Sequence, residues 1–216
     1  MNIFKALRLY VIPDRTLGAA SIQTPQTAVE KLIAQTRATL EGGATAIQLR
    51  DKTLEGKDLL AAARAMNQLC RQHGAMFIVN DRLDIALLCG AHGLHVGQGD
   101  LPVPEVRKLC PPGFIVGVSA QTKKEAMLAH EQGADYLGIG AVFPTSTKEA
   151  TALGPKGVAK VAASTPLPAV AIGGVSLENI TAIKQTGVAG VALVSAIVAA
   201  PDITAETRKF WQALTC

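Results

Sequence analysis

Aromatic residues make up only 4% of the 216-residue chain. Few rings are available to stack on bases, and no block of five or more lysines and arginines occurs. The electrostatic and stacking signature of a nucleic-acid binder is therefore missing. No run of 18 apolar residues is present, so no transmembrane helix is expected. The N-terminal MNIFKALRLYVIPDR lacks the apolar segment and cleavage site of a secretory signal, and a cytoplasmic protein without a membrane partner is expected. The four cysteines (Cys70, Cys89, Cys110, Cys216) form no CxxC pair and read as free structural thiols. Neither HxH nor HExxH occurs. His73, His92, His95 and His130 read as structural or surface residues. Charge of one sign is also scarce: the net formal charge is +4. Such a mild basic balance fits small anionic substrates.

Short β-branched runs alternate with helical patterns along the whole chain. The runs are LYVIPD (9–14), ATAIQLRD (44–51), MFIVND (76–81), GLHVG (93–97), FIVGVSA (114–120), YLGIGAVF (136–143), PAVAIGGV (168–175) and GVALVSA (190–196). Near-continuous apolar runs of this kind belong to parallel strands buried on both faces. Between them, Ala28–Glu41 and Gly56–Gln72 carry apolar residues at helical spacing and stop before glycines. Thr122–Gln132 begins with a capping box and ends at Gly133. Ser176–Thr186 begins with a capping hydroxyl and ends before Gly187. Shorter helical pieces follow Arg82 and Leu101. Strict alternation of eight runs predicts an α/β fold: a single (β/α)8 TIM barrel over residues 1–216, with the active site at the C-terminal mouth of the strands. An open doubly wound sheet would want GxGxxG after its first strand, and LYVIPDRTLGAA does not supply it.

The strand ends therefore form one inventory. Asp81 and Asp100 follow neighbouring strands and suit a divalent cation with oxygen ligands, Mg²⁺ above all. The bland reading of each is helix N-capping. Gln48, Arg50 and Lys52 alternate at i, i+2, i+4 and are expected on one strand face. Arginine and lysine together suit a diphosphate, the first as a fork and the second as a point charge. The long loop from 144 to 154 begins with FPTSTK, which brings Thr145, Ser146, Thr147 and Lys148 to the mouth as a lid or substrate binder. Gly173, Gly174 and Ser195 end the last two strands, where barrels build phosphate cradles from backbone N–H groups.

These motifs resemble the thiamin phosphate synthase family over nearly the whole chain. The carriers are QLRDK (48–52), NDR-x-DIAL (80–87), GA-x-GLHVGQ-x-D (90–100), GVSA-x-T (117–122), GADYLGIGAVFPTSTK (133–148), AIGGV (171–175) and GVALVSAI (190–197). The resemblance implies a Mg²⁺-assisted transferase. It would join 4-amino-2-methyl-5-(diphosphooxymethyl)pyrimidine to a thiazole phosphate, giving thiamin phosphate and pyrophosphate. It further implies that Gln48, Arg50, Lys52, Asn80, Ser119 and Lys148 bind the pyrimidine diphosphate, with Arg50, Lys52, Ser119 and Lys148 as its catalytic contacts. Asp81 and Asp100 would hold the metal. Thr145, Thr147, Gly174, Val194 and Ser195 would line the thiazole phosphate site. Two rivals stand beside this reading. A thiazole tautomerase on the same barrel would need a general base and could dispense with QLRDK and both aspartates. A non-enzymatic thiamin phosphate binding module would not need metal ligands. The sequence leaves a homo-oligomer open.

Overall fold

The computed structural model describes residues 2–18, 27–144 and 151–215 of the protein. Its elements are α1 (Ile3–Ala6), β1 (Leu9–Val11), α2 (Ala28–Glu41), β2 (Ala46–Leu49), α3 (Gly56–Gln72), β3 (Met76–Asn80), α4 (Leu83–Cys89), β4 (Gly93–Val96), α5 (Val103–Leu109), β5 (Ile115–Ala120), α6 (Lys123–Glu131), β6 (Tyr136–Gly140), α7 (Gly154–Ala162), β7 (Ala169–Ile172), α8 (Ile180–Lys184), β8 (Gly190–Leu193), α9 (Ser195–Val198) and α10 (Ile203–Thr215). The eight strands close into a barrel in chain order, with β8 pairing back onto β1. Every pairing is parallel. All strands thus end at one mouth, as the alternation predicts.

The period of two divides each strand between two apolar regions. Leu9, Val11, Ile47, Leu49, Phe77 and Val79 face outward into the layer between barrel and helices. Tyr10, Ala46, Met76, Ile78, Tyr136, Val170 and Ala192 fill the lumen. Ala6 and Leu7, at the end of α1, join this inner cluster and close the N-terminal end of the barrel. Helix α1 was not expected; Asn2 caps it by accepting from the Lys5 amide at 3.3 Å.

Local chemistry explains where several helices begin. Thr27 opens α2 with a full capping box, in which its hydroxyl accepts from the Glu30 amide and the Glu30 carboxylate accepts from the Thr27 amide. Thr122 and Glu125 do the same for α6. The eighth helix is shorter than its pattern. The Asn179 side chain accepts from the Ser176 amide and donates to the Gly174 carbonyl, which holds 176–179 in a turn and delays the helix to Ile180. Among the described residues no helix is long and apolar enough to cross a membrane. Cys70, Cys89 and Cys110 are free thiols, and burial pushes the Cys70 thiol up to about 12.

Candidate active site

A cavity of about 460 Å³ opens at the C-terminal mouth, within the size range of small-molecule sites. Every strand sends its inward residues into it, among them Tyr10, Gln48, Asn80, His95, Ser119, Gly138, Ile172 and Ala192. Arg50, Asp100, Gly174, Val194 and Ser195 line the rim.

The QLRDK segment splits between two environments. Strand β2 ends at Leu49, so Gln48 is buried in the lumen and Arg50 stands exposed just beyond the strand. Lys52 lies further out in the following turn, so the expectation of three residues on one strand face holds only for the first two. The physical reason is Asp51. Its carboxylate accepts from Arg15 Nε at 2.6 Å, and from the amides of Thr53 and Leu54 at 2.9 Å each, which turns the chain immediately after Arg50. Burial pushes the Asp51 carboxyl up, but the Arg15 guanidinium and these amides bring it below its usual value.

Asp81 and Asp100 do meet. Burial first, and then the adjoining Asp100 carboxyl, push Asp81 up to about 6, against the opposing pull of Lys52 and Arg50. The capping alternative fails for both aspartates: α4 and α5 are preceded by Arg82 and Pro102 as cap residues, with no side-chain cap bond. Asp100 instead accepts from the Gly97 amide at 2.7 Å, which fixes its carboxylate over the end of β4. Asp81 sits at φ 58°, the single non-glycine residue at positive φ among the described residues. That backbone turn carries its side chain from the end of β3 toward Asp100. Among the described residues no group of three or more His, Cys, Asp or Glu gathers anywhere. The two carboxylates are therefore an incomplete donor set, one that suits a hard cation taking its remaining ligands from water and substrate oxygens.

On the far wall, Gly173 and Gly174 have φ values of 94° and 68°. A Cβ on Gly174 would come within 2.7 Å of Phe143 Cβ and 2.8 Å of the Pro144 carbonyl oxygen. Close packing of β7 on the β6 loop thus requires this glycine, whatever lies in the cavity. Val194 and Ser195 lead directly into α9. Thr145, Ser146, Thr147 and Lys148 lie outside the described residues.

The lumen beneath the rim holds polar residues that the sequence reading did not assign to the site. Tyr10 and Tyr136, the chain's two tyrosines, place their hydroxyls 3.1 Å apart. His95 bridges from Tyr136 Oη to Ser119 Oγ, at 3.0 Å on each ring nitrogen. Gln48 Nε2 donates to Tyr10 Oη at 2.7 Å. His95 is thus a buried residue of the cavity wall, paired with Asn80 across β3 and β4. The available signal was the strand alternation: Tyr10, Gln48, His95, Ser119 and Tyr136 all occupy the inward period-two positions.

A model of the thiamine monophosphate synthase family matches residues 20–197. The chain belongs to that family. It is 44% identical over 203 residues to the thiamine-phosphate synthase of Coprothermobacter proteolyticus, covering 94% of this chain and 92% of that one. It is 45% identical over 206 residues to the thiamine-phosphate synthase of Methanospirillum hungatei, covering 94% and 95%. Among solved structures, the thiamine phosphate pyrophosphorylase of Pyrococcus furiosus superposes with a TM-score of 0.87 at 36% identity, covering 99% of this chain and 98% of that one. Membership accounts for the QLRDK segment and both aspartates at one mouth, which neither rival reading requires.

Proposed function

We infer that the protein is a thiamine-phosphate synthase, a transferase that couples an aminopyrimidine methylene diphosphate to a thiazole phosphate and releases pyrophosphate. The observation that carries this reading is the facing pair Asp81 and Asp100 with Arg50 and Lys52 beside them. Two carboxylates opposed at close range repel unless positive charge comes between them, and a Mg²⁺ ion arriving with the diphosphate would bring that charge. When bound, Mg²⁺ supplies positive charge to the diphosphate oxygens, with Asp81 and Asp100 as its protein ligands.

The residues divide the remaining work. Arg50, Lys52 and Lys148 neutralise the diphosphate, Asn80 and Ser119 hydrogen-bond to the same substrate, and Gln48 meets its ring. Gly174, Val194 and Ser195 hold the thiazole phosphate across the cavity, with Thr145 and Thr147 assigned to the same phosphate. The C–O bond to the diphosphate breaks with its electron pair departing on oxygen, and the electron-rich aminopyrimidine stabilises the resulting CH₂ cation. The thiazole nitrogen then supplies the pair for the new C–N bond. No side-chain nucleophile is called for. The cations act on charge that grows in the transition state, and the two phosphate sites hold nitrogen and carbon in line.

A single-turnover coupling assay with both substrates and Mg²⁺ tests the reading. Thiamin phosphate and pyrophosphate should form in equal amounts. Replacing the pyrimidine methyl by CF₃ should slow the chemical step by orders of magnitude, since an electron-withdrawing group destabilises the cation. A rate insensitive to that substituent would leave direct displacement, and an absence of product would remove the reading altogether.

A further inference from the structure

Five lumen side chains from five strands form one hydrogen-bonded chain. It runs Gln48 (β2) to Tyr10 (β1) at 2.7 Å, Tyr10 to Tyr136 (β6) at 3.1 Å, Tyr136 to His95 (β4) at 3.0 Å, and His95 to Ser119 (β5) at 3.0 Å. Gln48 and Ser119, the two ends, both face the cavity. Glycines make room for the middle. A Cβ on Gly117 would lie 2.1 Å from Tyr136 Cζ, and one on Gly138 would lie 3.0 Å from His95 Cε1.

With a single N–H on the His95 ring, counting protons restricts the chain to two states. It has four links, and each needs one proton. Tyr10, Tyr136 and the His95 ring in that form bring one proton each. Burial holds both phenols well above their usual range, so neither gives up its proton at working pH. Three interior protons serve three links, and one end must supply the fourth. If Gln48 donates inward, its carbonyl oxygen remains for the cavity, His95 donates to Ser119, and the Ser119 proton points at the cavity. If Ser119 donates inward, every link reverses and Gln48 turns its NH₂ to the cavity. A mixed arrangement leaves a buried donor or acceptor unpaired and is disfavoured.

We propose that this chain sets the enzyme's choice between an amino and an oxo pyrimidine: an anionic oxygen against Ser119 draws the Ser119 proton outward, which obliges Gln48 to present an acceptor to the ring. The proposal rests on the reading that the diphosphate lies against Ser119 and the pyrimidine against Gln48. Tyr10, Tyr136 and His95 are then positioning residues. Their hydrogen bonds carry the requirement for an anion at one end into a requirement for an amine at the other. An exocyclic 4-amino group donates to the Gln48 carbonyl, whereas a 4-oxo group faces it with a second acceptor.

The test is the ratio of kcat/KM for the 4-amino pyrimidine diphosphate to that for its 4-oxo analogue, with thiazole phosphate and Mg²⁺ saturating. Tyr136→Phe removes the two central links and keeps the ring in its place against Gly117. Tyr10→Phe breaks the chain nearer Gln48. Each should lower the ratio by roughly tenfold or more, the scale of one lost hydrogen-bond preference. A general loss of packing or of activity would lower both kcat/KM values alike and leave the ratio where it was. Unchanged ratios in the folded variants, or a fall in only one of the two where both fold, would overturn the proposal while the coupling reaction still stood. So would a wild-type enzyme that used both pyrimidines equally. A wild-type enzyme that turned over neither pyrimidine would overturn the underlying reading instead.

Discussion

Asp81 holds its backbone at φ 58°, in the left-handed region that β-carbons disfavour and that Asp and Asn tolerate best. The Asp81→Asn variant therefore keeps the turn and removes only the charge. Because its folded pKa is raised to about 6, the folded protein holds the Asp81 proton more tightly than the unfolded chain does. Stability is then fully present below the ordinary carboxylate value and is lost as pH rises through about 6. At pH 8 without metal, Asp81→Asn should melt higher than the wild type, while its coupling turnover collapses. At pH 4 the gap in melting temperature should narrow. Thermal melts at the two pH values check this, and a variant melting lower at pH 8 would show that the carboxylate stabilises the fold. Residues of this kind were legible in the sequence because a charged side chain ending an apolar run is conspicuous. His95 was not, because a single polar residue within GLHVG reads as an interruption of a strand. Only the closed barrel brings it to Ser119 and Tyr136.

At the scale of elements, β5 and β6 carry their glycines for a packing reason. Gly117 lies where the Tyr136 ring crosses the lumen, and a methyl there would stand 2.3 Å from Tyr136 Cε1 and 2.5 Å from its hydroxyl. The ring cannot move without breaking its bonds to Tyr10 and His95. Gly117→Ala should therefore cost more than the usual 1–3 kcal/mol of overpacking and depress the melting temperature sharply. Gly99→Ala is the control: nothing lies within 4 Å of its Cβ position, and surface changes of this type stay within about 0.5 kcal/mol. Equal melting temperatures for the two would mean that the lumen is looser than its distances say. The long helices α2 and α3 were legible to the residue because the apolar period and the glycines that follow it agree. Helix α8 was not, because Asn179 bonds back to Ser176 and Gly174 and uses the intended first turn for a different purpose. The glycines of AIGGV were read as a phosphate cradle. Gly174 also meets Phe143 and Pro144, so Gly174→Ala disturbs the β6–β7 loops themselves and no longer reports on the thiazole site alone.

For the whole molecule, the barrel separates two tasks along its axis. The N-terminal end is closed by α1 with apolar side chains, and the opposed carboxylates gather with Arg50 and Lys52 at the other end. Stability at the mouth is therefore withheld until charge-matched ligands arrive, and ligand binding should appear as global stabilisation. A ligand at a hundred times its Kd adds about 2.7 kcal/mol. In a chain of this size each kcal/mol raises the melting temperature by roughly 2–4 °C, so a shift of about 5–11 °C is expected. Pyrophosphate with Mg²⁺ is the probe, since it combines the leaving group with the cation. Pyrophosphate with chelator should stabilise much less, because it adds anionic charge beside Asp81 and Asp100. In Asp100→Asn the difference between the two conditions should largely vanish, although Arg50 and Lys52 still bind the anion. Differential scanning calorimetry of the wild type and the variant in both buffers measures all four values. If the metal-dependent part of the shift were the same in Asp100→Asn as in the wild type, the two carboxylates would not be the metal's ligands, and their mutual repulsion would need another purpose.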